Sequence, residues 1–278
     1  MKIHNILSII GGFAFCIISL PLQAESTAAP WQQSAEPQQS HVLAMTQSVQ
    51  NFTSEYINPM VYANEHTLAD SPHYAQQLCQ LPGYHCRSVK PGDSWASLWP
   101  DYSQRQIIMR LNRTNVALSY LSWVVVPDDM NNINYMSLSP MPFYRKPSGH
   151  KDLVVNLGMY AFGAYDETGK LVYWGPVTSG APICPESSSK SCKTVVGTFK
   201  VYRKQGAACI SHTYPLETRG GASMPYCMHF YKGFAIHGST LAGFYNHSQG
   251  CVRLFYDDAK WLNEEFANLG TAVIIQSA

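Results

Sequence analysis

The sequence predicts a mainly β protein with a smaller α+β unit ahead of it. From Lys151 onward, short runs of β-branched and aromatic residues alternate with turns containing Gly or Asp. Composition agrees, since 17 tyrosines, 19 glycines and 17 prolines suit strands and turns better than long helices. Ahead of Lys151, helical periodicity is confined to a few short stretches.

Residues 1–24 read as a secretory signal: Lys2 opens it, Ile6 to Leu20 is apolar, and Leu22-Gln23-Ala24 closes on a small residue. A membrane anchor is the other reading, but the run is short and a polar stretch follows. Export with no membrane anchor left after cleavage is the expectation. Residues 25–78 begin with a Gln-, Ser-, Ala- and Pro-rich arm too polar to bury a core. Within them Val42, Met45, Val49, Phe52 and Tyr56 fall on one helix face, stopped by Pro59.

Residues 79–130 form a compact unit. Val89 leads through Pro91-Gly92 into a helix capped by Asp93 or Ser94. Ile107, Ile108 and Leu111 mark a second helix, and Trp123 to Pro127 reads as a closing strand. Residues 131–150, with three prolines and several Asn and Ser, are expected as a linker.

The β region, 151–278, opens with Leu153–Leu157. A hairpin follows, from Met159–Tyr165 through Asp166–Lys170 to Leu171–Val177, and Gly197–Tyr202 is the next strand. Near its end Ala259, Leu262, Phe266 and Leu269 fall on one helical face, with Asp257 and Asp258 in the first turn as dipole-compensating starters. Thr271–Gln276 is the last strand.

Formal charge is +1, with few basic clusters, which argues against nucleic acid as a partner. Eight cysteines less Cys16, which lies in the apolar leader, leave seven in an exported chain. Proximity pairs Cys79 with Cys86, Cys184 with Cys192, and Cys209 with Cys227. Cys251 is the odd thiol. By itself it has a second reading, as a bridged cysteine with another left free; its neighbours favour a nucleophile. Phe234-Ala235-Ile236 delivers His237, a base, to a loop starting at Gly238, and Ser248-Gln249-Gly250 leads into Cys251. Glycine before the cysteine allows a tight turn whose N–H groups, those of Gly250 and Cys251, converge on a developing oxyanion.

His237-Gly238 and Ser248-x-Gly250-Cys251 resemble the signature of the L,D-transpeptidase catalytic domain. Cys251-Val252-Arg253-Leu254 is similar to an ending common in its Gram-negative members. Gln249 departs, standing where the family usually has histidine, and the intervening loop is shorter than in most members. Tyr165-Asp166 to Leu171 and Val196-Gly197-Thr198-Phe199 match the family's opening strands, so the resemblance spans Lys151 to Ser277. It implies a β-sandwich catalytic domain in the periplasm. Cys251 is the implied nucleophile, His237 the base, and the Gly238 carbonyl the group orienting that base. Peptidoglycan stem peptides are the implied substrates, and no cofactor is called for.

Lesser candidates keep two readings each. Tyr226 lines the substrate groove or sits in the core; Arg253 contacts a stem carboxylate or a structural partner; Ser248 braces the cysteine loop or, with Gln249, contacts substrate. His247 stands in for the missing histidine or faces solvent. His212 and His229 fit no common zinc spacing, so no metal is expected.

The 79–130 unit resembles a divergent LysM module, which implies binding of peptidoglycan glycan strands; a structural spacer is the alternative. Retained activity as a carboxypeptidase or amidase, or a wall-binding host-entry role like that of the enhanced-entry proteins, are the rival functions.

Overall fold

The computed structural model describes residues 77–184 and 190–277. The expected signal at 1–24 and the periodic stretch after His41 lie outside these residues.

The α+β unit is framed by β1 (Tyr84–Ser88) and β2 (Trp123–Pro127), paired antiparallel from Tyr84↔Pro127 to Ser88↔Trp123. Between them lie α1 (Trp95–Leu98) and α2 (Tyr102–Leu111). Each helix starts where a side chain satisfies amides that lack intrahelical partners. Ser94 caps α1 reciprocally with Ser97, and the Asp101 carboxylate accepts the Gln104 N–H. Trp95, Trp99, Ile108, Leu118, Val124 and Val126 pack together inside the unit.

That unit does not stand apart. Leu111 and Val125 share a second core with Leu138, Met141, Val154, Tyr165 and Trp174. The segment 131–150, expected as a linker, contributes to it. A 3-10 turn over Tyr135–Leu138 buries Leu138, and the Tyr135 ring stacks on Trp174 at 5.4 Å. Burying this apolar surface, rather than leaving it in water, holds the segment down.

The main sheet has nine strands. In chain order they are β3 (Asp152–Asn156), β4 (Ala161–Tyr165), β5 (Leu171–Thr178), β6 (Gly197–Lys200), β7 (Arg203–Lys204), β8 (Met228–Tyr231), β9 (Phe234–Gly238), β10 (Val252–Leu254) and β11 (Ala272–Gln276). Across the sheet they run β6-β11-β3-β4-β5-β10-β9-β8-β7. The β4–β5 turn is built on Asp166, whose carboxylate accepts the Thr168 and Lys170 amides. Gly169 is required there: its φ is +81°, and a Cβ would lie 2.2 Å from the Arg145 carbonyl oxygen.

β6 and β7 belong to one stretch of chain, yet they pair with opposite edges of the sheet, β6 with β11 and β7 with β8. Val201 N–H donates to Thr271 O at one edge, and Tyr202 N–H to His229 O at the other. The expected sandwich is therefore one continuous sheet, curled until its two edges meet in one segment.

After β10 comes α3 (Tyr256–Trp261), which widens into a π-helical turn over Leu262–Phe266. Ala259, Leu262 and Phe266 are buried, but Leu269 is 65% exposed, because the helix has ended before it. The starter aspartates do more than offset a dipole. Asp257 accepts from Tyr102 Oη at 3.1 Å. Asp258, fully buried, receives Arg110 from α2 through Nη1 at 2.6 Å and also through Nη2, with Tyr173 Oη donating at 2.5 Å. Among the described residues no helix is long and apolar enough to cross a membrane.

Candidate active site

β9 and β10 lie side by side and parallel, with Val252↔Ile236, Arg253↔His237 and Leu254↔Gly238 in register. Alternation then sorts the side chains. Ile236, Val252 and Leu254 are fully buried in the interior. His237, Arg253 and, one step before the strand, Cys251 share the opposite face and line one cavity of about 440 Å³. Such a volume suits a small ligand or a short length of peptide.

Three disulfides are present, Cys79–Cys86, Cys184–Cys192 and Cys209–Cys227, and Cys251 is the free cysteine among the described residues. Its side chain packs against the Cys209–Cys227 bridge and Ala235. Burial pushes the thiol above its ordinary pKa, opposed by the Ala235 backbone amide and the Arg253 charge.

His237 is 5% exposed. Its Nδ1 lies 2.9 Å from the Gly238 carbonyl oxygen. A nitrogen facing a carbonyl carries the proton, so Nε2 keeps its lone pair. The carbonyl is itself fixed, since Gly238 N–H donates to Pro225 O and Ser239 N–H to Leu254 O, both at 2.8 Å. Burial lowers the His237 pKa to about 4, with the Gly238 bond opposing and Arg253 and His229 adding to the effect. Burial thus favours the neutral form of both the thiol and the imidazole.

The cysteine turn is tied from both sides. Ser248 N–H donates to Ser179 O, and Ala181 N–H to Ser248 O, each at 2.9 Å. Thr194 Oγ1 accepts the Gly180 N–H and donates to Gly250 O at 2.7 Å. Ser248 Oγ donates to Cys251 O at 2.5 Å and accepts the Gly250 N–H at 3.0 Å. Ser248 therefore braces the turn, and the Gly250 N–H, expected to face an oxyanion, is already committed to it. Gly250 still has to be glycine: its φ is +117°, and a Cβ would meet the Phe234 ring at 2.8 Å.

Gln249 lines the cavity, its Oε1 3.0 Å from Cys192 Sγ. The disulfide sulfur has no proton to give, so this is a packing contact that sets the amide against the Cys184–Cys192 wall. Arg253 also lines the cavity and forms no ion pair among the described residues. Tyr226 does not reach the cavity. Its backbone turns through φ +57°, and its buried ring packs edge-on against Tyr256 at 5.2 Å. His247 is half-buried, with Nδ1 3.2 Å from Thr178 Oγ1 and its ring 4.7 Å from that of Tyr245; it too lies off the cavity wall. Among the described residues no cluster of three His, Cys, Asp or Glu side chains is placed to hold a metal.

Sequence reading missed Arg203 as a wall residue and weighed His229 only as a zinc ligand. Both line the cavity. The available signal was alternation: Arg203↔His229 and His229↔Ala235 are in register, which puts them on the cysteine's face.

A YkuD family model, described as an L,D-transpeptidase catalytic domain, matches residues 150–275, somewhat under half of the chain. No curated protein matches the chain. Among solved structures, an L,D-transpeptidase from Xylanimonas cellulosilytica is 22% identical, covering 61% of this chain and 77% of that one, with a TM-score of 0.45. An L,D-transpeptidase from Mycobacterium smegmatis is 22% identical over 46% of this chain and 58% of its own, at a TM-score of 0.37. L,D-transpeptidase 3 from Mycobacterium tuberculosis, solved with a faropenem-derived adduct, is 23% identical over 45% and 60%, also at 0.37. The chain thus spans less than two thirds of either mycobacterial protein.

Proposed function

We propose, from the match of residues 150–275 to the L,D-transpeptidase catalytic-domain model, that the chain is a cysteine acyltransferase that cross-links peptidoglycan stem peptides. One observation carries the reading: an unbridged Cys251 shares a cavity with His237, whose Nδ1 is held by Gly238. His237 Nε2 takes the thiol proton as the sulfur attacks the amide carbonyl of the donor stem. The Cys251 amide donates to the oxyanion in place of the committed Gly250 N–H. The C–N bond then breaks, the proton passes from His237 to the departing D-alanine amine, and a thioester remains on Cys251. The side-chain amine of a second stem attacks that thioester, the C–S bond breaks, and the sulfur recovers its proton through His237. The base acts from a neutral resting state, so proton transfer accompanies attack.

In the same reading the chain works outside the cytoplasm, in the periplasm, where its three disulfides are at home. The strand–helix–helix–strand unit would hold glycan strands as a LysM-like module. The test is intact mass after incubation with a carbapenem. An adduct of one carbapenem per chain, absent from Cys251→Ala, is expected; no adduct on the wild-type protein refutes the reading. Muropeptides with and without an acceptor amine then separate transfer from hydrolysis.

A further inference from the structure

The wall of the Cys251 cavity carries Lys190, Lys193, Arg203 and Arg253, and among the described residues it carries no Asp or Glu. Positive charge gathered on one concave surface favours an anionic occupant. On that wall one pair stands out. Arg203 Nη2 donates to His229 Nε2 at 2.7 Å. Since guanidinium only donates, Nε2 is the acceptor and Nδ1 carries the histidine's proton. His229 is 5% exposed, and its Nδ1 is buried with no hydrogen-bond partner among the described residues. A buried donor left unpaired is costly and calls for an explanation.

The register places this pair relative to the chemistry. Arg203, His229 and Ala235 stand opposite one another on β7, β8 and β9, and Cys251 precedes the β10 residue paired with Ile236. Adjacent strands lie ~4.8 Å apart, so the backbones of Arg203 and Cys251 are about 14 Å apart across the sheet face. An extended peptide advances ~3.4 Å per residue, so a peptide laid from Cys251 toward β7 comes within reach of the long Arg203 side chain about two to four residues from the reacting carbonyl.

We propose that Arg203 and His229 form a carboxylate subsite, which selects donor peptides bearing a free carboxylate about two to four residues from the carbonyl that Cys251 attacks. Arg203 supplies charge and a forked donor, held in place by its bond to His229 Nε2. Arg253, nearer the sulfur, is left for the reacting end of the peptide. This deepens the acyltransferase reading and rests on it for the identity of the donor, but not for its test.

The test measures binding alone, in the Cys251→Ala protein, with two synthetic tetrapeptides identical except that the distal carboxylate is free in one and a primary amide in the other. The acid is expected to bind about tenfold tighter than the amide. Adding Arg203→Gln should abolish that ratio, whereas Lys146→Gln, the same charge change on an exposed residue outside the cavity, should preserve it. Equal affinities in the Cys251→Ala protein, or a ratio that survives Arg203→Gln, overturn the proposal. Failure of the acyltransferase reading is read separately, as absence of the carbapenem adduct on wild-type Cys251.

Discussion

The two walls flanking Cys251 are held by different means. On one side, the loop after His237 is gripped by the turn that follows α2. Leu241 N–H donates to Asn115 Oδ1 at 2.8 Å, Asn115 N–H returns to Leu241 O at 3.0 Å, and Gly243 N–H donates to Arg113 O at 3.1 Å. Thr114 Oγ1 adds a bond to Leu241 O. On the other side, Lys190 to Lys193 is held by the Cys184–Cys192 disulfide, with Gly180 packed so closely under Cys192 that a Cβ would lie 1.7 Å from its carbonyl oxygen. One wall thus depends on the α+β unit packing against the sheet, and the other on oxidation. The front unit is part of the site's scaffold.

The largest blow to the first wall is predicted at its distant anchor. Asp258→Ala leaves Arg110 buried and uncompensated, and should cost about 3–5 kcal/mol in urea unfolding. A cost under about 1 kcal/mol would mean that this pair does not fasten α2 to the sheet. For the second wall, the double change Cys184→Ser with Cys192→Ser should cost about 2.5 kcal/mol, the loop entropy of so short a bridge. It should also slow carbapenem acylation of Cys251; an unchanged rate would show that the wall holds without its bridge. Asn115→Ala is milder, about 1–2 kcal/mol, because it strips the acceptor from one buried N–H while the backbone bonds persist.

Titration sharpens the picture at the centre, where both walls meet. His237, lowered to about 4 by burial, is neutral above that pH and loses its lone pair only below it. Acylation should therefore fall as pH drops through about 4, not near 6.5. Cys251, raised by burial, should show alkylation by iodoacetamide that keeps climbing with pH beyond neutrality. A plateau reached well below pH 7 would instead indicate a preformed thiolate.

Much of this was readable in the chain, for identifiable reasons. Strands such as β4 and β5 announce themselves by local composition, and neighbouring cysteines pair because short loops bring them together. Side-chain alternation and the glycine at 250 were legible too. What was hidden was non-local or conformational. Nothing near Arg110 signals a partner 148 residues away. Gly197 to Tyr202 reads as one strand, and only the curl of the sheet ends it at Lys200 and sends the chain on to the opposite edge at Arg203. Tyr226 sits beside the site in sequence, but one left-handed residue turns its ring toward Tyr256. Leu269 fits a 3.6-residue period that the π turn at Leu262–Phe266 has already ended.

The most direct measurement compares carbapenem acylation rates of wild-type protein and His237→Ala by intact mass, at pH 7. If His237 is the base for Cys251, the rate should drop by about 10²–10⁴ with the fold retained. A His237→Ala protein that acylates at the wild-type rate would contradict the account.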